Sequence, residues 1–182
     1  KIEGRLKDMR YIKNVVAYYR RRLDEIISRR ADITRPSVGR SVPDFTPDTA
    51  KSFTRGASRY MLRGKCGGVA SFDTPKAVGE PIGRIAGVSR RGFTLDQPHD
   101  LAAGDGICIV GRNGVSGTNV NGVEGGAIVP NRTDGVEAGA EVYRNYDHAF
   151  SLALDRSRTR RTIDVDARIA LSADGATLSL RD

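Results

Sequence analysis

Between residues 78 and 146 a glycine falls every few positions, and this punctuation narrows the possible folds more than any other feature of the chain. The apolar runs between glycines are short. They mark strand candidates at 82–88, 92–95, 106–110, 118–123, 127–129 and 141–143. Arg91-Gly92, Gly104-Asp105-Gly106, Asn113-Gly114 and Asn121-Gly122 read as the turns between them. Short strands separated by such turns predict a small β-barrel rather than α/β units. Leu101-Ala-Ala-Gly104-Asp105 and Val136-Glu-Ala-Gly139-Ala-Glu141-Val-Tyr143 share one plan. Each is an apolar residue, a tight turn at glycine and a strand, and together they would close two edges of one barrel.

Upstream the period changes from two to about 3.6. Ile12, Val15, Val16, Tyr19, Leu23, Ile26 and Ile27 recur at spacings of three and four, which predicts an amphipathic helix over 7–28. Asp8 suits its N-cap, and arginines crowd its C-terminal end, where they complement the helix dipole. The stripe needs a partner surface, and the expected one is a domain preceding Lys1. Residues 31–50 hold Pro36, Pro43 and Pro47 among Thr, Ser and Asp and read as an extended linker. Residues 51–63 could form a turn of helix, and Gly64, Gly67 and Gly68 then break the chain. Beyond the barrel, Asp147 can cap a short helix over 148–155. The end reads as a hairpin, 163–171 and 176–180, turning at Asp174-Gly175. The expected organisation is a helix at 1–30 trailing a catalytic domain that is not in this sequence, a Pro-rich connecting segment at 31–77, the barrel at 78–146, and a short helix and hairpin at 147–182 that begin a further domain. The fold class is mainly β.

Charge is distributed unevenly. Residues 1–63 hold 16 Lys and Arg against 7 Asp and Glu, a net of +9, whereas the remainder is close to neutral. Arg20, Arg21 and Arg22 form the densest cluster. Such a patch either attracts nucleic-acid phosphates or is a solvated helix face. No run approaches the roughly 18 apolar residues of a membrane span.

Candidate chemistry is sparse. Cys66 has Lys65 beside it in a glycine setting, but no histidine lies near it in sequence. Cys108 sits between Ile107 and Ile109 and reads as a small buried residue. His99 and His148 have no Ser or Cys partner at a recognisable spacing, and the glycines of 111–126 fit no phosphate-binding pattern. No catalytic or metal-ligating residue is therefore assigned. The chain begins inside charged sequence without a leader, and with two cysteines it reads as a piece of a cytoplasmic protein.

Taken in order, several motifs resemble the peptidase U32 family, also labelled collagenase-like proteases. They are Lys1-Ile2-Glu3-Gly4-Arg5-Leu6-Lys7, then Tyr11…Val15-Val16…Tyr19-Arg20…Leu23-Asp24, then Phe53-Thr54-Arg55-Gly56. Val78-Gly79-Glu80-Pro81-Ile82-Gly83-Arg84-Ile85 resembles the start of the family's C-terminal barrel, and Gly139…Val142-Tyr143-Arg144-Asn145…Asp147 its end. The resemblance implies a TIM-barrel-like catalytic region upstream, with an iron–sulfur cluster held by four cysteines that Cys66 and Cys108 do not match. It implies a barrel similar to the second domain of translation elongation factors, and a tail from about Thr162 that opens an additional collagenase-labelled domain. Some members are implicated in cytidine hydroxylation of RNA. The expected function is thus a non-catalytic accessory region that docks structured RNA on a parent hydroxylation enzyme. Arg20, Arg21 and Arg22 would contact phosphates, and Arg5 and Lys7 would border the catalytic region. The alternatives are substrate recognition in a collagenase-like peptidase, with a protein chain as partner, and a purely structural barrel.

Overall fold

A computed structural model describes residues 2, 5–54, 61–65 and 77–182. In chain order its elements are α1 (Met9–Ile27), β1 (Arg40–Val42), a 3-10 turn (Thr49–Lys51), β2 (Glu80–Val88), β3 (Phe93–Leu95), β4 (Gly106–Gly111), β5 (Gly114–Glu124), β6 (Ala127–Pro130), β7 (Glu141–Tyr146), α2 (His148–Arg156), β8 (Arg160–Thr162), β9 (Asp166–Ser172) and β10 (Gly175–Arg181). They fall into two compact units, Lys1–Tyr18 with Pro47–Arg156, and Tyr19–Thr46 with Ser157–Asp182.

The first unit contains the barrel. Six strands close in the order β2-β3-β6-β5-β4-β7, all neighbours antiparallel, with β7 returning to β2. Closure removes the unpaired edges that an open sheet of this size would expose. β2 is bulged against both neighbours, between Pro81 and Gly83 and between Ile85 and Gly87, which lets one strand bend around a small barrel. The interior is aliphatic apart from one ring: Ile82, Ile85, Phe93, Leu101, Ile107, Ile109, Val120, Ile128, Ala140 and Val142, flanked by Leu95 and Val136. Cys108, between two of these, is buried as well, in line with its sequence setting. Gly104 (φ +93°) makes the turn into β4 and Gly139 (φ +84°) the turn into β7, conformations that disfavour a side chain.

In α1, Asp8 caps the N-terminus as expected, its carboxylate accepting the Tyr11 amide at 2.8 Å. The expected dipole complement at the other end is not there: the last turn has no basic residue, and Arg29 and Arg30 lie beyond it. The burial pattern also departs from the stripe. Asn14 and Val15 are the buried residues, while Val16, Tyr19, Leu23 and Ile26 are about half exposed. Asn14 is buried because its amide bridges the chain at the 3-10 turn. Its Nδ2 donates to the Asp48 carbonyl at 2.5 Å and to Ser52 Oγ at 2.6 Å, and its Oδ1 accepts the Asp48 amide at 2.8 Å. In α2, Asp147 caps the helix through the Phe150 amide at 2.8 Å.

In the second unit β1 pairs antiparallel with β8, inside the stretch that reads as linker. Asp44 adds two hydrogen bonds to the same region, from Ser157 Oγ at 2.6 Å and the Arg158 amide at 2.8 Å. β9 and β10 form the hairpin, turning at Ala173-Asp174, one residue earlier than expected. Every residue of the two strands is exposed. Among the described residues no helix is long and apolar enough to cross a membrane.

Candidate functional site

A concavity of the first unit lies at the start of α1, an open cleft of about 360 Å³. Lys7, Arg10 and Tyr11 reach it from α1 and the residues before it, Lys51 from the 3-10 turn, Phe53 from two residues beyond that turn, and Tyr146 and Asp147 from the end of β7. The cleft exists because the start of α1 packs on the last turn of α2 while the 3-10 turn meets the β7–α2 corner. Arg10 grips both oxygens of Asp155 at 2.7 Å, Lys13 donates to the Leu154 carbonyl at 2.7 Å, and Lys51 meets Asp147 at 2.6 Å. The hydrogen bond to Arg10 holds the Asp155 carboxyl below its usual pKa, and the same bond raises Arg10. The ammonium of Lys7 lies 3.2 Å from the centre of the Phe53 ring and 5.9 Å from that of Tyr11, a cation over aromatic faces.

Behind the cleft sits a buried ionic cage. Arg144, 5% exposed, reaches Glu80 at 2.5 Å, Asp100 at 3.1 Å, Asp147 at 3.5 Å and Asp105 at 3.6 Å. Burial disfavours the charged guanidinium, but these carboxylates outweigh it and its pKa is raised. Asp105 also accepts the amides of Ala102 and His148, at 3.0 and 2.9 Å, and so ties the turn before β4 to the start of α2. Burial likewise works against the Asp147 carboxylate. The hydrogen bonds from Lys51 and the Phe150 amide, with the charge of Arg144, prevail and lower its pKa. This cage fixes the corner from which the cleft is built.

The arginines singled out in the sequence lie in the second unit. Arg20 and Arg35 share the Asp24 carboxylate, with Arg35 at 2.6 Å, and the buried Nε of Arg20 makes no hydrogen bond. Arg21 and Arg22 share Glu25, at 3.4 and 2.9 Å, and their side chains are about 60% exposed. Four guanidinium groups thus stand against two carboxylates. Arg5 is exposed and Lys7 partly buried in the cleft. Cys66 lies outside the described residues, as do Arg55 and Gly56 of the Phe-Thr-Arg-Gly element and Glu3 and Gly4 of the first motif. His99 accepts the Leu101 amide at 3.2 Å, and His148 packs tilted against Tyr146, ring centres 6.2 Å apart.

Sequence reasoning placed no function on Tyr11, Lys51, Phe53 or Tyr146. The available signal was weak: Tyr11 and Phe53 stand inside family-like motifs, but nothing local shows that these segments meet. Among the described residues no group of three His, Cys, Asp or Glu side chains could hold a metal ion, so nothing described fits the iron–sulfur cluster that the resemblance implies upstream. The arrangement is suited to binding, with cations beside ring faces in an open cleft.

Known proteins share much of this sequence. The model of Peptidase family U32 matches residues 1–68. The 23S rRNA 5-hydroxycytidine C2501 synthase of Escherichia coli (strain K12) is 35% identical over 178 aligned residues, which cover 93% of this chain. The chain spans about a quarter of the length of that relative, 27%. No solved structure matches. The family match takes in α1 and the Phe53 segment, and the relative's match extends the likeness to nearly the whole chain; the N-terminal third is similar to peptidase family U32.

Proposed function

We propose that this chain is the substrate-docking part of a longer U32 protein that hydroxylates cytidine in ribosomal RNA in the cytoplasm. The observation that supports it is the 35% identity across 93% of the chain with a 23S rRNA hydroxycytidine synthase. No chemical step is assigned to residues of this chain. Its part is to hold the RNA while the remainder of the protein does the oxidation, where the family resemblance puts an iron–sulfur cluster.

Electrostatics sets how it would do so. Asp24 and Glu25 hold the four guanidinium groups extended but neutralise only half of their charge. An RNA phosphate placed beside Arg21 and Arg22 gains charge-assisted hydrogen bonds and releases condensed counterions, so binding falls as salt rises. Each phosphate contact contributes roughly 0.7 to 0.9 to the slope of log affinity against log salt. The test is filter binding of the full-length protein to a structured 23S rRNA fragment over a salt series. Replacing Arg20, Arg21 and Arg22 together by Ala should weaken binding and flatten the slope by about 2. An unchanged affinity and slope would sink the docking role of α1. Salt-tolerant binding to gelatin, with none to RNA, would favour the protein-substrate reading instead.

A further inference from the structure

The cations around the cleft differ in how they are neutralised. Arg10 is held by both oxygens of Asp155 and Lys51 by Asp147. Lys13 gives its ammonium to the Leu154 carbonyl. Lys7 has no carboxylate within ion-pair distance among the described residues, and the rings of Phe53 and Tyr11 are what it faces. A ring face attracts an ammonium but does not cancel its charge. Lys7 therefore carries a whole positive charge on the wall of the cleft, beside aromatic surface from Tyr11, Phe53 and Tyr146.

A ligand matched to that wall has a flat apolar face and a negative charge a few ångströms from it. An acidic peptide offers the charge without the plane. A double helix offers phosphates but hides its base faces in the stack. An unpaired nucleotide offers both, which is how single-stranded nucleic acids are held on aromatic and cationic surfaces. The cleft volume, about 360 Å³, lies at the small end of ligand-sized cavities and suits one nucleotide rather than several. We infer that this cleft takes one unpaired nucleotide of the RNA, its base against the aromatic wall and its phosphate on Lys7. The inference rests on the RNA reading above and adds the strand state that is recognised: the α1 arginines meet backbone of any form, and the Lys7 cleft requires an unpaired base.

The experiment measures binding of the full-length protein to two probes of equal length, a single-stranded oligouridylate of about ten nucleotides and an RNA duplex. Lys7→Gln and Phe53→Leu should each weaken the single strand by about tenfold, the scale of one lost stacking or phosphate contact. Both should leave the duplex within about twofold. Lys7→Arg, which keeps the cation, should bind both probes as the parent does. Unchanged melting temperatures exclude misfolding as the cause. If Lys7→Gln and Phe53→Leu bind the single strand normally while the triple arginine variant loses both probes, the cleft inference fails and the RNA reading stands. Equal losses on single strand and duplex would reduce Lys7 to a phosphate contact and overturn the unpaired-base role. Failure of the unaltered protein to bind either probe would overturn the RNA reading and this inference with it.

Discussion

Replacing Arg144 by Met tests whether the buried cage holds the β7–α2 corner. The change keeps much of the side-chain volume and removes the charge. It leaves Asp105 and Asp147, 3% and 7% exposed, together with Glu80, around a site from which their shared cation has gone. Two unit charges about 4 Å apart at an effective dielectric of about 20 interact by roughly 4 kcal/mol. Removing one partner of a buried pair typically costs ~3–5 kcal/mol. Asp147 keeps Lys51 and the Phe150 amide, and Asp105 keeps two amides, so the low end applies. The expected loss is about 3 kcal/mol, or a melting temperature lower by roughly 6–12 °C for a chain of this size. The loss should also depend on pH in a fixed direction. The Asp147 pKa is lowered in the folded protein. A lowered carboxylate pKa stabilises the fold above the unfolded value, near 4, and the contribution disappears as pH falls through the folded value. The cost of Arg144→Met should therefore be complete at neutral pH and shrink below about pH 4, where the carboxylates it faced become neutral. Thermal and urea unfolding of both proteins at neutral and acid pH reads this directly. A cost under about 1 kcal/mol at neutral pH, or the same cost at both, would refute the reasoning.

Three further outcomes concern packing in the first unit. Asn14→Leu strands the Asp48 amide and carbonyl without their buried partner and should cost about 2–4 kcal/mol in urea unfolding, against less for Asn14→Ala, which leaves room for water. Gly92→Ala would put a β-carbon 2.0 Å from the Ile128 carbonyl oxygen, where β3 meets β6, and should cost about 2–3 kcal/mol. Gly117→Ala, whose β-carbon meets nothing closer than 3.9 Å, should stay within about 0.5 kcal/mol of the parent.

The barrel was legible because most of its signals are local, and 82–88, 92–95, 106–110, 127–129 and 141–143 fall on β2, β3, β4, β6 and β7. Asn121-Gly122, which reads as a turn, instead lies inside β5, where Gly122 pairs with Val129, and the chain turns at Gly125-Gly126. β5 runs four residues earlier than its expected start at 118, because Gly114 and Gly117 look like turn residues yet pair with Gly111 and Cys108. The β1–β8 pairing was not legible at all. It joins three residues to three others about 120 positions away, and one of the two segments sits among prolines. Asn14 was missed for a similar reason: a polar residue beside an apolar stripe reads as exposed, and only its three long-range hydrogen bonds explain why it is buried. The candidate site divides the same way. The arginine cluster of α1 is visible in three consecutive residues, Arg20, Arg21 and Arg22, whereas the cleft needs Lys7, Phe53 and Tyr146 brought together by the fold, which no spacing announces. The Arg144 cage assembles carboxylates from four different places in the barrel unit, and nothing local to any one of them shows that they meet.

The most direct measurement of the proposed role is mass spectrometry of ribosomal RNA nucleosides from a strain in which the gene for the full-length protein is deleted. Deletion should remove a hydroxylated cytidine. The intact gene should restore it, and the version carrying Arg20→Ala, Arg21→Ala and Arg22→Ala should restore it only in part. An unchanged nucleoside profile after deletion would contradict the assignment to RNA modification, whatever the α1 arginines bind.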